Sequence, residues 1–204
     1  MTKISIRDQK RELTRKAIIA AGFNQLSAEK GFSNISLRGV TKQAKISPAS
    51  FYHHFSDMNE LGLVMVDEAG LILRQLLRQA RKRIIKGGNT ILISVHLFFE
   101  FIKNNPNTFR LLLRESSGTS QEFRAAVARE IKHFIEELAE YMTDVSKYSF
   151  SYAYEVSEGM VILAFSSGAS ILDLNLKDSL KLQKRLIRQL FMIIKGANLL
   201  ANKS

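Results

Sequence analysis

Between Ser36 and His54 the chain gathers short polar and cationic side chains: Ser36, Arg38, Thr41, Lys42, Lys45, Ser47, Ser50, Tyr52, His53 and His54, with Pro48 and Ala49 among them. Hydroxyls and imidazoles donate to phosphates and base edges, and guanidinium and ammonium groups neutralise phosphate charge. That is chemistry for reading DNA. Catalysis would ask for something else: a nucleophile beside a base, or clustered metal ligands. The four histidines are His53, His54, His96 and His133. Two sit in the stretch just described, and His96 stands alone in an apolar segment. His133 has Glu130, Glu136 and Glu137 nearby, at the spacing of a solvated helix face. Neither a Gly-rich phosphate loop nor a nucleophile motif is present, and there is no cysteine. The expectation is a non-enzyme that needs no cofactor and no metal.

Two short helices and a turn would position these groups. Ser36 caps the first, and Leu37, Val40 and Ala44 share one face at i, i+3 and i+7. Ile46 points inward from the turn. Ser47 caps the second helix with Pro48 at its first position, where the missing N–H costs nothing. Phe51 and Phe55 face one way, and Asp57 with Glu60 forms a capping box for the next helix. This is a helix-turn-helix, whose second helix enters the major groove. In that geometry Arg38, Thr41, Lys42 and the helix opening at Ser47 anchor phosphates. Ala49, Ser50, Tyr52 and His53 face the groove, while Tyr52 and His54 are also within reach of the backbone.

The run Phe51-Tyr52-His53-His54-Phe55, with Leu61 beyond it, resembles the tetracycline-repressor (TetR) family of bacterial regulators. Gly31, Phe32, Ser36, Leu37, Val40, Ala44, Ile46 and Ser47 match as well. Two positions depart. Lys45 stands where the family usually has Gly, so a left-handed backbone there is strained. Met58 stands where Lys is usual, which removes a phosphate contact and leaves the helix N-terminus to supply it. The resemblance implies an all-α protein: an N-terminal three-helix DNA-binding domain plus a C-terminal helical domain for ligand binding and dimerisation. It also implies that the basic turns of the first helix, with Arg11 and Arg15, run along the phosphate backbone, and that a homodimer reads a palindromic operator.

Charge distribution agrees with a DNA partner. The 204 residues carry a formal +11, and residues 1–56 hold ten Lys/Arg against three acids. A basic head is the footprint of phosphate binding. The chain divides on this reading into a DNA-binding domain, 1–56, and a helical domain, 57–204. The N-terminus has no apolar leader, and the apolar runs fall short of the ~20 residues that cross a bilayer. With no cysteine, the expected location is the cytoplasm.

Helical periodicity sets the remaining elements. A first helix spans 8–30. A long one starts at Asp57, has Leu61, Met65, Ala69, Ile72 and Leu76 in register, and ends at Gly87-Gly88-Asn89. Helices over 90–103 and 106–115 follow, then a Thr119/Glu122 capping box opening a helix to about Met142. Thr143–Ser151 reads as loop, and two apolar helices, 152–172 and 178–202, close the chain. The helix around 156–172 is apolar on nearly every side, with small residues Gly159, Ala164 and Gly168. Either the chain's own core covers both sides, or a twin subunit covers one. The dimer reading takes Gly159, Leu163, Phe165, Leu172, Leu186, Leu190 and Ile194 as interface.

Phe98, Phe99, Ile102, Phe109, Leu112, Leu113, Phe123 and Phe134 are either core or the lining of an apolar pocket, with Arg110 and Arg114 beside them for an anionic head group. The stretch Phe101–Glu115, then Ser117–Ser120 and Phe123–Phe134, together with Leu61–Leu63 and Leu73–Leu76, resembles the branch of the family that represses unsaturated fatty-acid synthesis. That resemblance implies a long-chain acyl thioester ligand, carried on acyl carrier protein or coenzyme A.

Overall fold

A computed structural model describes residues 5–85 and 89–201. All regular structure among them is helical: α1 (Ile6–Gln25), a 3₁₀ turn (Phe32–Asn34), α2 (Leu37–Ala44), α3 (Pro48–Tyr52), α4 (Met58–Ile85), α5 (Thr90–Asn104), α6 (Pro106–Glu115), α7 (Gln121–Ser146), α8 (Phe150–Ile171) and α9 (Leu176–Ala201). The all-α expectation holds. The Gly87-Gly88 stop after α4 and Asn202 at the chain's end lie outside the described residues.

α1 and α9 start two residues earlier than the sequence reading, at Ile6 and Leu176; three other differences have a local reason. The first helix stops at Gln25, not at residue 30. Leu26 turns to extended backbone, and the Ser27 hydroxyl accepts from the Glu29 and Lys30 amides, an alternative to the helical ladder. Ser120, not Thr119, caps α7, accepting from the Phe123 amide at 3.4 Å. The expected loop 143–151 is mostly helix. α7 runs to Ser146, Lys147 takes a left-handed conformation (φ 57°), and Ser149 caps α8.

By contacts the chain forms two compact units. The first contains the residues up to Ala69 together with Asn107–Val127, and the second contains Gly70–Pro106 with the residues from Ala128 onward. This division by contacts is distinct from the functional division expected at 56/57, and it groups α6 and the start of α7 with the head. In the first unit Ile18, Val40, Phe51, Phe55, Leu61, Met65, Phe109, Leu112 and Phe123 are buried. Gly22 and Gly62 let α1 and α4 into this core. A Cβ on Gly22 would sit 2.5 Å from Met65 Sδ, and one on Gly62 would sit 2.5 Å from the Phe32 ring. Asn107 Nδ2 donates to Phe23 O, and Arg114 donates to Ser27 O and Ala28 O, so α6 satisfies carbonyls at and beyond the end of α1.

In the second unit α8 packs on α9 and α5 packs on both. Tyr148 donates to Asn198, and Tyr152 donates to Ala197 O, fastening the start of α8 to the end of α9. Between α4 and α7 lies the buried pair Arg74–Glu130. Among the described residues no helix is long and apolar enough to cross a membrane.

Candidate nucleic-acid interface

Local hydrogen bonding builds the site. Ser36 Oγ accepts from the Gly39 amide at 3.1 Å and starts α2. α2 ends at Lys45, whose φ of 56° and ψ of 44° are left-handed, and the Ile46 amide donates back to Thr41 O. Ser47 Oγ then accepts from the Ser50 amide at 3.1 Å, with Pro48 at the first position of α3. Asp57 and Glu60 complete the expected box: the Glu60 amide donates to Asp57 Oδ1 and the Ser56 amide to Glu60 Oε2. The bond from Ser56 holds the Glu60 carboxyl below its usual range.

One face of α3 is anchored. Phe51 is fully buried, its ring edge-on to Tyr52 and tilted against Phe55, and the Arg15 guanidinium lies over Phe55 at 5.0 Å. The opposite face is open. Ser47, Pro48, Ala49 and His53 are exposed, Ser50 is half-buried, and Tyr52 is 57% exposed. Arg11, Arg38, Lys42 and Lys45 are exposed too. Thr41 departs from its expected role: it is 4% exposed and its hydroxyl donates to Arg38 O, so it stabilises α2 from within. His54 Nδ1 is buried without a partner. Burial first, then Arg11, His53 and Arg15, pushes its pKa below the usual 6.5, so the ring is neutral at pH 7.

The residues expected at a ligand site scatter. The second unit holds a partly open apolar cavity of about 320 Å³ walled by α4, α5, α7, α8 and α9. Phe98 and Phe134 line it, as expected. Phe99 and Ile102 are buried elsewhere in that unit. Phe109, Leu112 and Phe123 are core of the first unit, and Leu113 is half-buried there. Arg110 bonds Asn107, and Arg114 is spent on loop carbonyls. Of the residues expected at a dimer seam, Phe165, Leu186, Leu190 and Ile194 line the cavity instead. Leu163 and Leu172 are half-buried, and Gly159 is exposed. Sequence reasoning missed Leu76, Ala80, Arg81, Tyr141, Met160 and Val161 as cavity wall. Leu76 and Ala80 do stand at helical spacing on α4, but periodicity does not say what a face meets.

A capped helix, a left-handed turn and a second helix that shows Tyr52 and His53 outward on a basic head define a helix-turn-helix DNA-binding protein. Residues 18–63 match the model of the bacterial regulatory proteins of the tetR family, and residues 88–193 match that of the tetracyclin repressor-like C-terminal domain. The chain belongs to the TetR family of DNA-binding transcriptional regulators. It is 60% identical, over 97% of each chain, to an uncharacterised helix-turn-helix-type transcriptional regulator of Haemophilus influenzae. Its fold is similar to that of a tetR-family regulator from Streptomyces coelicolor (TM-score 0.70, 18% identity, 91% of this chain and 82% of that one). It is also similar to that of the multidrug binding protein EbrR, complexed with malachite green (TM-score 0.67, 14% identity, 88% and 96%).

One consequence of the turn is measurable. A side chain at left-handed φ costs about 1 kcal/mol relative to Gly. Lys45→Gly therefore raises stability by up to about 1 kcal/mol, read as a higher denaturant midpoint, while the lost cation weakens DNA binding at low salt.

Proposed function

We propose that this chain is a dimeric repressor of the FabR type. On this reading it represses genes of unsaturated fatty-acid synthesis from a palindromic operator, under control of a long-chain acyl thioester. Arg11, Arg15, Arg38, Lys42 and Lys45 neutralise phosphates, the α3 start at Ser47 sets register, and Ala49, Ser50, Tyr52 and His53 meet the groove. Ligand in the cavity biases α4, which carries Leu61 and Met65 in the head core and Leu76 and Ala80 in the cavity wall.

The observation that carries the ligand reading is the cavity itself: apolar on nearly all sides, with no carboxylate among its described lining residues. An alternative is an efflux-type regulator sensing other hydrophobic ligands, which the likeness to EbrR favours. A sensor of aromatic cations gains from an acid in its pocket, and this lining has none. A lipid-binding module of another class would have no use for an outward-facing α3.

For pairing, the buried Phe165, Leu186 and Leu190 give way to an open apolar stripe. Gly159 and Ile162 on α8 and Met192, Gly196 and Leu199 on α9 recur at helical spacing; Ile162 is 62% and Met192 69% exposed. A Cβ on Gly159 or Gly196 would meet nothing within 4 Å, leaving room for a second backbone. Exposed apolar stripes of this kind mark interfaces.

A gel-shift titration tests the reading. With a promoter fragment from an unsaturated fatty-acid synthesis gene, oleoyl-CoA changes the half-saturating protein concentration by about fivefold or more, a typical allosteric coupling, and tetraphenylphosphonium does not. A response to the cation alone would favour the efflux reading. Loss of operator preference as salt rises would remove the DNA reading.

A further inference from the structure

Three arginines follow one another on α4 at helical spacing: Arg74, Arg78 and Arg81. Two are matched by carboxylates, Arg74 by Glu130 and Arg78 by Glu137, the latter at 3.3 Å. Arg81 is different. It is half-buried and donates one N–H to a neutral acceptor, the Glu137 backbone carbonyl. Its guanidinium carbon lies 5.1 Å from the centre of the Tyr141 ring. The remaining guanidinium donors meet no acceptor among the described residues, although a guanidinium carries five.

This group lines the apolar cavity. Arg81 is the single charged residue among the described lining, beside the neutral polar groups of Asn89, Thr90, Ser94, Tyr141 and Ser146. A cation with spare donors at an apolar wall favours a ligand group that accepts hydrogen bonds, and favours it more if that group is an anion. It repels an ammonium at the same place; no carboxylate is among the described lining of this cavity, and Glu136, Glu137 and Glu140 share with Arg81 a second, charged pocket instead. The Tyr141 ring beneath the guanidinium restricts where the donor fork can go before a ligand arrives.

We propose that the cavity selects single-chain amphiphiles by their heads: Arg81, braced on Tyr141, holds a carbonyl or carboxylate while the chain fills the apolar space, and cationic heads are rejected. The proposal rests on the reading of this cavity as the ligand site. A thioester carbonyl and a free carboxylate share the required chemistry, and separate arms of the experiment distinguish them.

The test uses the full-length protein loaded with the neutral fluorescent probe N-phenyl-1-naphthylamine, displaced by amphiphiles below their micelle concentrations. Oleic acid, oleoyl-CoA, oleyl alcohol and oleylamine share one chain and differ in head. The acid or the thioester displaces the probe at concentrations about tenfold or more below those needed for the amine, as a charge-assisted hydrogen bond allows, with the alcohol between. Whichever of the two is stronger names the head. Arg81→Gln brings all four within about twofold of one another, whereas Arg81→Lys, which keeps the charge without the planar fork, keeps the order with a smaller spread. Equal displacement by acid, thioester and amine, or an unchanged order in Arg81→Gln, overturns the head selection and leaves the ligand site standing. Failure of all four to displace a probe that binds, or failure of the probe to bind, overturns the ligand site and this proposal with it.

Discussion

Tyr52→Ala lowers operator affinity by about ten- to a hundredfold, the range expected when one good groove contact is lost, and barely moves the unfolding midpoint. The two halves of that expectation come from the two sides of α3. Phe51 and Phe55 hold the helix to the head core, whereas Tyr52 is 57% exposed and contributes only an edge-on ring contact with Phe51. Tyr52→Phe separates ring from hydroxyl: if the hydroxyl donates to a phosphate, the phenylalanine variant loses nearly as much as alanine. Because the contact is neutral, neither variant alters the slope of log affinity against log salt, while Lys42→Ala lowers that slope by about 0.9. Competition gel shifts at several salt concentrations read all three. Tyr52→Ala with wild-type affinity would mean that this face of α3 does not meet the groove.

What was legible in the sequence was what is local. The caps at Ser36, Ser47 and Asp57/Glu60 involve partners three or four residues away, and each is in place. The two-fold character of α3, Phe51 inward and Tyr52 and His53 outward, follows from spacing alone.

Partner choice over long separations was not legible. Phe109, Phe123, Phe98 and Phe134 belong to equally apolar helix faces, yet the first two fill the core of one unit and the last two face a cavity in the other. Arg114 and Arg81 look alike as sequence. One is consumed by the carbonyls of Ser27 and Ala28, and the other keeps donors free, because helix C-terminal loops offer acceptors and apolar walls do not. The early end of α1 was hidden because Leu26 to Lys30 contains no Gly or Pro. A serine hydroxyl ends that helix, and serines are common inside helices too.

The other large effect is expected between α4 and α7. Glu130 is only 5% exposed at its side chain, and Arg74 pairs with it directly; Arg129 Nε at 3.5 Å and His133 Nδ1 at 3.8 Å are looser neighbours on the solvent side. Gly70 lies one helical turn before Arg74, and a Cβ there would come within 2.7 Å of the Glu130 carboxyl carbon. The carboxylate thus occupies the space that a larger residue on α4 would need. Burying two charges is expensive, and the pair returns that cost only while both partners stay in place. Arg74→Met leaves the carboxylate without its closest cation and destabilises the second unit by about 3–5 kcal/mol. Gly70→Ala, which pushes the carboxylate off its partner, falls in the same range. Arg74→Met combined with Glu130→Met removes both charges and recovers most of the loss, so the double-mutant cycle yields a coupling of about 2 kcal/mol or more. Denaturant unfolding at one fixed protein concentration measures each variant, since association would otherwise shift the midpoints. A double variant as unstable as Arg74→Met would mean that packing around these side chains, and not their charge pairing, holds α4 against α7.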